Sequence, residues 1–372
     1  MDRRKFIEAG LGAAFVSSMP MSSPAFAARK HAATHAPLTV GSDPRIELYS
    51  VILTLSPFRG FPGAPVVTEL DFSYRTEVGE YFGTYGEHPV VAKYAAMAAK
   101  GFRFGHPPSA ILHFTDPPAL EPKASVDPLT LKMAGGAEEL DAFIALARDF
   151  AHATDFMTWF GSHADFYRGL ADTYRARMEW NYVDDLVEYY GEARESYTMM
   201  LAPLFHPGGF GPRVRRDDGR YEAYAAVGPR AVEDGVPAFG AGAAARRMQW
   251  HEFSHSHVNH LTDANIDGLI EPVSILQKDV KAEVEAFLPW SIHVADWVSE
   301  HVVRGVTTRL AYRKTGDEEG AAALAKEMSS FPYVDRVAAL LEEEYETDRR
   351  KYPTLAAFFP NIVTLFSKIA AA

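Results

Sequence analysis

A chain of 372 residues, 47% apolar and 23% charged, can pack a core as one large domain or two ordinary ones. It contains no cysteine, so disulfide frameworks, thiolate metal sites and thiol nucleophiles are excluded, and any transition metal must be held by histidine and carboxylate. A formal net charge of −12 argues against nucleic acid or an anionic membrane surface as a main partner.

The first 27 residues read as a targeting segment. Arg3-Arg4 leads into Lys5-Phe6-Ile7, an apolar run follows from Ala9 to Val16, and Ala25-Phe26-Ala27 forms a small-x-small cleavage site. The paired arginines predict twin-arginine export, with the mature protein periplasmic or secreted after cleavage near Ala27. The apolar run is too short to span a bilayer, and no later stretch is long and apolar enough, so no stable membrane insertion is expected. Residues 28–44 show no apolar period and read as a linker, with His31 and His35 as solvated tail histidines. Ordered structure is expected from Arg45, as a single domain over 45–372 with a helical part at 45–192 and an active-site part at 193–372.

The run from Ile46 to Leu55 is apolar and fits helix or strand equally. Pro57 to Pro65 reads as a Gly/Pro loop, and Pro89 and Gly101 frame a helix. Residues 107–128 look loop-heavy. From Glu138 onward Leu140, Phe143, Ile144, Ala147, Phe150 and Ala151 recur at three and four, the helical period. Further helices are expected at 163–178 and at 183–190, the latter stopped by Gly191. His152, Asp155, His163 and Asp165 read as caps and solvated faces. Residues 196–204 and 220–227 read as strands joined by the Gly/Pro-rich loop Pro207 to Pro212, which suggests a hairpin. The strand before the next helix is expected to edge a cleft where an extended peptide could pair with it.

The chemistry concentrates in His251-Glu252-Phe253-Ser254-His255, on a helix expected to start within 241–246 and run to about Leu261. Histidines four apart on a helix project one turn above the other, which suits two ligands of one Zn²⁺. Glu252 lies beside the first ligand, where a carboxylate can act as general base. A third histidine six residues on is ruled out, since Leu261 stands there and Val258 replaces the turn glycine that class needs. His257 and His260 read as supporting or solvated. A long helix is expected over 291–313, and Glu300, 45 residues after His255, suits a third ligand supplied by a separate helix. Asp263, Asp267, Glu271, Asp296 and His301 compete for that role. Arg304, one turn after Glu300, can pair with its carboxylate. His293, His301, Arg304 and Tyr312 are candidates to support the site or stabilise an oxyanion. Helical segments at 334–341 and 355–369 close the chain, with Glu342 to Glu346 between them as a solvated acidic face.

Several stretches together resemble a bacterial, mostly uncharacterised family of predicted zinc metallopeptidases. They are Arg45-Ile46-Glu47-Leu48, the core at 251–256 with Val258-Asn259, Glu300-His301-x-x-Arg304, and Tyr345 to Tyr352-Pro353-Thr354. The similarity runs over most of 45–368, but only 251–259 is highly specific. It implies an α+β, mainly helical, zincin-like fold with a small antiparallel sheet beside the motif helix. It also implies one zinc per chain on His251, His255 and Glu300, with Glu252 as catalytic acid/base. The expected function is an exported zinc-dependent metallohydrolase, foremost a peptidase acting on a peptide or protein. The alternatives are a silent scaffold that binds periplasmic peptide or wall components, against which the intact Glu252 argues, and a zinc hydrolase of other amides. Oligomeric state is not legible.

Overall fold

Side-chain alternation along a buried sheet divides the interior of this protein into two cores. The computed structural model describes residues 37–372 except 59, 62, 63 and 287. The expected signal segment, and the tail histidines His31 and His35, lie outside the described residues. The main sheet contains β1 (Leu38–Gly41), β2 (Ser196–Leu201), β3 (Gly209–Phe210), β4 (Arg213–Arg215) and β5 (Tyr221–Val227). Tyr197, Met199 and Leu201 of β2, with Ala223, Ala225 and Val227 of β5, face one core. Met200, Tyr224 and Ala226 face the other. Successive strand residues point to opposite faces, so a sheet covered on both sides needs apolar residues at both parities.

One core packs α1 (Pro44–Leu55), α2 (Ser73–Phe82), α3 (Pro89–Ala99) and α4 (Ala137–Ala153). The other packs α5 (Ala164–Ala176), α6 (Tyr182–Tyr190), α7 (Gly242–Ala264), α8 (Ile266–Leu276), α9 (Trp290–Thr315), α10 (Asp317–Met328) and α11 (Leu355–Ala370). The class is therefore α+β and mainly helical, as expected. No helix among the described residues is long and apolar enough to cross a membrane.

Residues 46–55 resolve as helix. Asp43 accepts from the backbone N–H groups of Arg45 and Ile46, and Pro44 occupies the first turn. The segment showed no period because α1 is buried on nearly every side, including Glu47 at 1% exposure. Helix α4 buries the six expected apolar positions. Helix α6 ends on Gly191 at φ 72, a left-handed position that glycine adopts without strain.

Three expectations are corrected. The linker assigned to 28–44 contains β1, whose Leu38–Gly41 pairs in parallel with Tyr197–Met200, so order begins before Arg45. The hairpin between 196–204 and 220–227 does not exist, because β2 and β5 run parallel. Between them the chain passes to the far side of β5 and descends as β3 and β4, both antiparallel to it. The true hairpin is β4–β5, closed by the turn in which Arg216 N–H bonds the Arg220 carbonyl. The sheet is consequently mixed rather than antiparallel. Finally, Glu346 is not part of a solvated face. It accepts from Arg309 at 2.9 Å and from the Tyr189 hydroxyl at 2.9 Å, tying the end of the chain to α9 and α6.

Candidate metal centre

Helix α7 is held from behind, and that fixes what it presents in front. Trp250 and Phe253 are fully buried in the core. The Trp250 indole N–H donates to Asp185 at 3.2 Å and Gln249 donates to the Tyr174 hydroxyl at 3.1 Å. His257, fully buried, stacks on Tyr190 with ring centres 4.2 Å apart and meets the Tyr197 hydroxyl at 3.1 Å. It is a packing residue, neither solvated nor a ligand. With those positions facing the sheet, His251 and His255 project from the opposite side at helical spacing.

Helix α9 crosses in front of that side, pinned to α7 by the Ser299 hydroxyl donating to Thr262 at 3.0 Å. One turn of it carries Glu300 to the two imidazoles. The separations are 3.4 Å between the two Nε2 atoms, 3.5 Å from His255 Nε2 to Glu300 Oε1, and 3.7 Å from His251 Nε2 to Glu300 Oε2. A tetrahedron with ligand distances near 2.05 Å has edges of about 3.3 Å, so the three atoms sit at nearly the spacing that zinc imposes. The protonation states agree. His255 Nδ1 donates to Asn259 Oδ1 at 3.0 Å, which leaves its Nε2 as a bare lone pair aimed at the other two groups. Burial draws the His251 imidazole down to about 3, so it is neutral near pH 7. Burial works to raise the Glu300 carboxyl, but the two histidines and Arg304 outweigh it and hold it at about 2. His251 Nε2, His255 Nε2 and a Glu300 carboxylate oxygen converge, and such a set can hold a divalent metal ion.

Arg304 donates through Nε to Glu300 at 3.0 Å, bonds Glu327 as well, and lies 4.0 Å over the Phe331 ring. The Glu300 carboxylate is thus held from behind, as the one-turn spacing suggested. Glu252 is 4% exposed. Burial, reinforced by the Glu300 charge, pushes its carboxyl up to about 8, with Arg304 and Arg230 acting against the shift.

Strand β3 closes over Glu252. A Cβ at Gly209 would lie 2.5 Å from Glu252 Oε1, and one at Gly211 would overlap the Glu252 backbone carbonyl. Gly209 and Gly211 are there for close approach, which is one of the two meanings of glycine in a strand. That segment, expected to be a loop, is the sheet's edge at the site, whereas β5, the strand expected to edge the cleft, and β2 are each paired on both sides and cannot receive a substrate strand.

Two clefts meet over Gly209, His251, Glu252 and Glu300. The larger, of about 1180 Å³, runs between β3–β4 and a wall from the first core that includes Arg103, His106, His113 and Asp127. The smaller, of about 350 Å³, is lined by His206, Arg230, Arg247, Arg304 and Lys326, among others. Asp263 and Asp296 stand on the wall of the larger cleft, outside the three-atom cluster, and burial with the Glu300 charge pushes Asp296 up to about 7. Asp267 and Glu271 line neither cleft.

Of the four candidates to support the site, only Arg304 reaches it. His301 follows Glu300 by one residue, a rotation of about 100° that turns it into the core against Trp297 and Phe331. His293 stacks on Trp290. Tyr312, about 18 Å further along α9, packs where Gly320 lets α10 approach. Nothing in the sequence reading gave a role to Asn259, His206, Gly209, Arg230, Arg247 or Lys326. Asn259 alone carried a signal, since it lies four residues after His255.

No curated protein and no solved structure matches this chain. Residues 38–365 match the family described as a domain of unknown function, DUF4932, and the chain belongs to that family.

Proposed function

We propose that the protein is a zinc-dependent hydrolase of peptide bonds, on a zincin-like scaffold. The observation that carries this is the convergence of His251 Nε2, His255 Nε2 and Glu300 at 3.4–3.7 Å beside a buried glutamate. His251, His255 and Glu300 would hold the zinc, which when bound would supply Lewis acidity to water and to a carbonyl. The chain's own residues do the rest. Asn259 holds His255 in the tautomer that leaves Nε2 free, and Arg304 keeps Glu300 ionised and aimed.

Glu252 handles protons. In the metal-free protein its carboxyl stands near 8, and a cation beside it favours the ionised form. As a carboxylate it takes a proton from the attacking water and returns it to the leaving nitrogen. The backbone at Gly209 limits where that carboxylate can turn. An extended peptide fits along the free edge of β3, where main-chain pairing needs no particular side chain. The net charge of −12 favours peptide over nucleic acid as substrate.

The test is Glu252→Gln against wild type, both zinc-loaded, on a peptide library read by mass spectrometry. The variant should keep its zinc and lose cleavage by at least about 100-fold. Equal turnover in the two proteins would remove Glu252 from the mechanism.

A further inference from the structure

The smaller cleft carries charge that cleavage of a peptide bond does not itself require. Arg230 comes from the chain after β5, Arg247 from the first turns of α7 and Lys326 from the last turn of α10. Three separate elements thus bring cations to one concavity. None of the three makes an ion pair or side-chain hydrogen bond among the described residues, whereas Arg304 in the same cleft is occupied by Glu300 and Glu327. This happens on a chain whose net charge is −12. Arg230 and Lys326 are exposed and Arg247 is half-buried, whereas Arg246, the neighbour of Arg247, is buried and paired with Glu179 and Glu319. Unpaired cations beside a candidate reaction centre call for an anion from outside.

Size narrows the anion. At about 350 Å³ the cleft is at the low end of the range that holds a small ligand, about 300–1,000 Å³, while its neighbour across Glu252 is more than three times larger. A peptide lying across the centre therefore has a long side and a short side, and the short side ends among the cations. The anionic group that a peptide offers is a carboxylate, which a guanidinium grips with two parallel hydrogen bonds.

We infer that the smaller cleft binds a substrate carboxylate within one or two residues of the bond to be cut, with Arg247, Arg230 and Lys326 as the residues that select it. This rests on the peptide-hydrolase proposal and names the substrate class for it. The carboxylate is the C-terminal one or an aspartate or glutamate side chain.

The experiment uses the zinc-loaded full chain and four probes of one N-acetylated hexapeptide. These are the free acid and the C-terminal amide, and the amide with Asp or with Asn at the penultimate position. Binding is measured by calorimetry on Glu252→Gln and cleavage by mass spectrometry on wild type. The free acid should bind at least about tenfold more tightly than the amide and be cut within two residues of its end. Arg247→Gln combined with Lys326→Gln should reduce that preference to about twofold, with zinc content and melting temperature retained. Preference for Asp over Asn, with free acid and amide alike, supports the site and assigns the carboxylate to a side chain. Equal binding of all four probes, or binding of none, overturns the inference. Cleavage without any carboxylate preference sinks the inference and leaves the hydrolase proposal standing. Carboxylate-selective binding without cleavage does the reverse.

Discussion

Gly209→Ala separates catalysis from metal binding. The new Cβ would lie 2.5 Å from Glu252 Oε1, 2.7 Å from Cδ and 2.9 Å from Cγ. Ordinary contact between such atoms is about 3.5 Å, so strand and carboxylate must part by roughly an ångström. The helix behind Glu252 cannot give way, because Trp250, Phe253 and His257 lock it against the sheet. The displacement therefore falls on the Glu252 side chain and on β3. A misplacement of about 1 Å in a catalytic group costs about 100-fold in rate, while crowding of this kind costs about 1–3 kcal/mol of stability. The three heavy atoms nearest the new methyl all belong to Glu252. The expected variant is folded, binds one zinc with wild-type affinity, and cleaves peptides about 100 times more slowly in kcat/KM. Stability is read by urea unfolding, zinc by titration and turnover by mass spectrometry. Wild-type turnover in a protein that keeps its zinc would refute the placement of Glu252 as the proton carrier.

Two further substitutions test other parts of the structure. Asn259→Ala removes the acceptor that fixes His255, and zinc affinity measured against a competing chelator should fall about 10–100-fold with little change in melting temperature. Glu47→Gln addresses a site remote from the metal. Burial pushes the Glu47 carboxyl up to about 7, with the Tyr74 hydroxyl bond at 2.5 Å acting against the shift. A folded-state value above the unfolded one means that the native protein holds this proton longer. The stabilisation is complete below about pH 4.5 and is lost as pH rises through 7, a change on the order of 3 kcal/mol. The neutral glutamine should match wild type at pH 5 and exceed it at pH 8 in urea midpoint. An unchanged pH slope would clear Glu47 of any such role.

What could be read in the sequence was whatever depends on helical period. His251, Glu252 and His255 were legible because four residues bring side chains to one face, and Arg304 because it lies one turn beyond Glu300. Glu300 itself was reachable only through its spacing from the motif, since nothing local marks a residue that acts across two crossing helices. His293, His301 and Tyr312 were misplaced for a related reason. Helix α9 is buried on most of its circumference, so sharing a helix says little about sharing a site. The sheet was the least legible part. Composition marks 196–201 and 221–227 as strands but says nothing of parallel order, and Gly209 and Gly211 imitate a loop while serving contact with Glu252. Helices α8 and α10 were hidden by Pro272 within the first and by the Gly320 contact in the second.

The proposed metal centre depends on the three converging atoms. Calorimetric zinc titration of the full chain beside Glu300→Ala tests them most directly. One saturable site per chain is predicted, weakened at least about 100-fold in the variant. Absence of a saturable site in wild type, or equal affinity in the two proteins, would contradict the metal centre assigned to His251, His255 and Glu300.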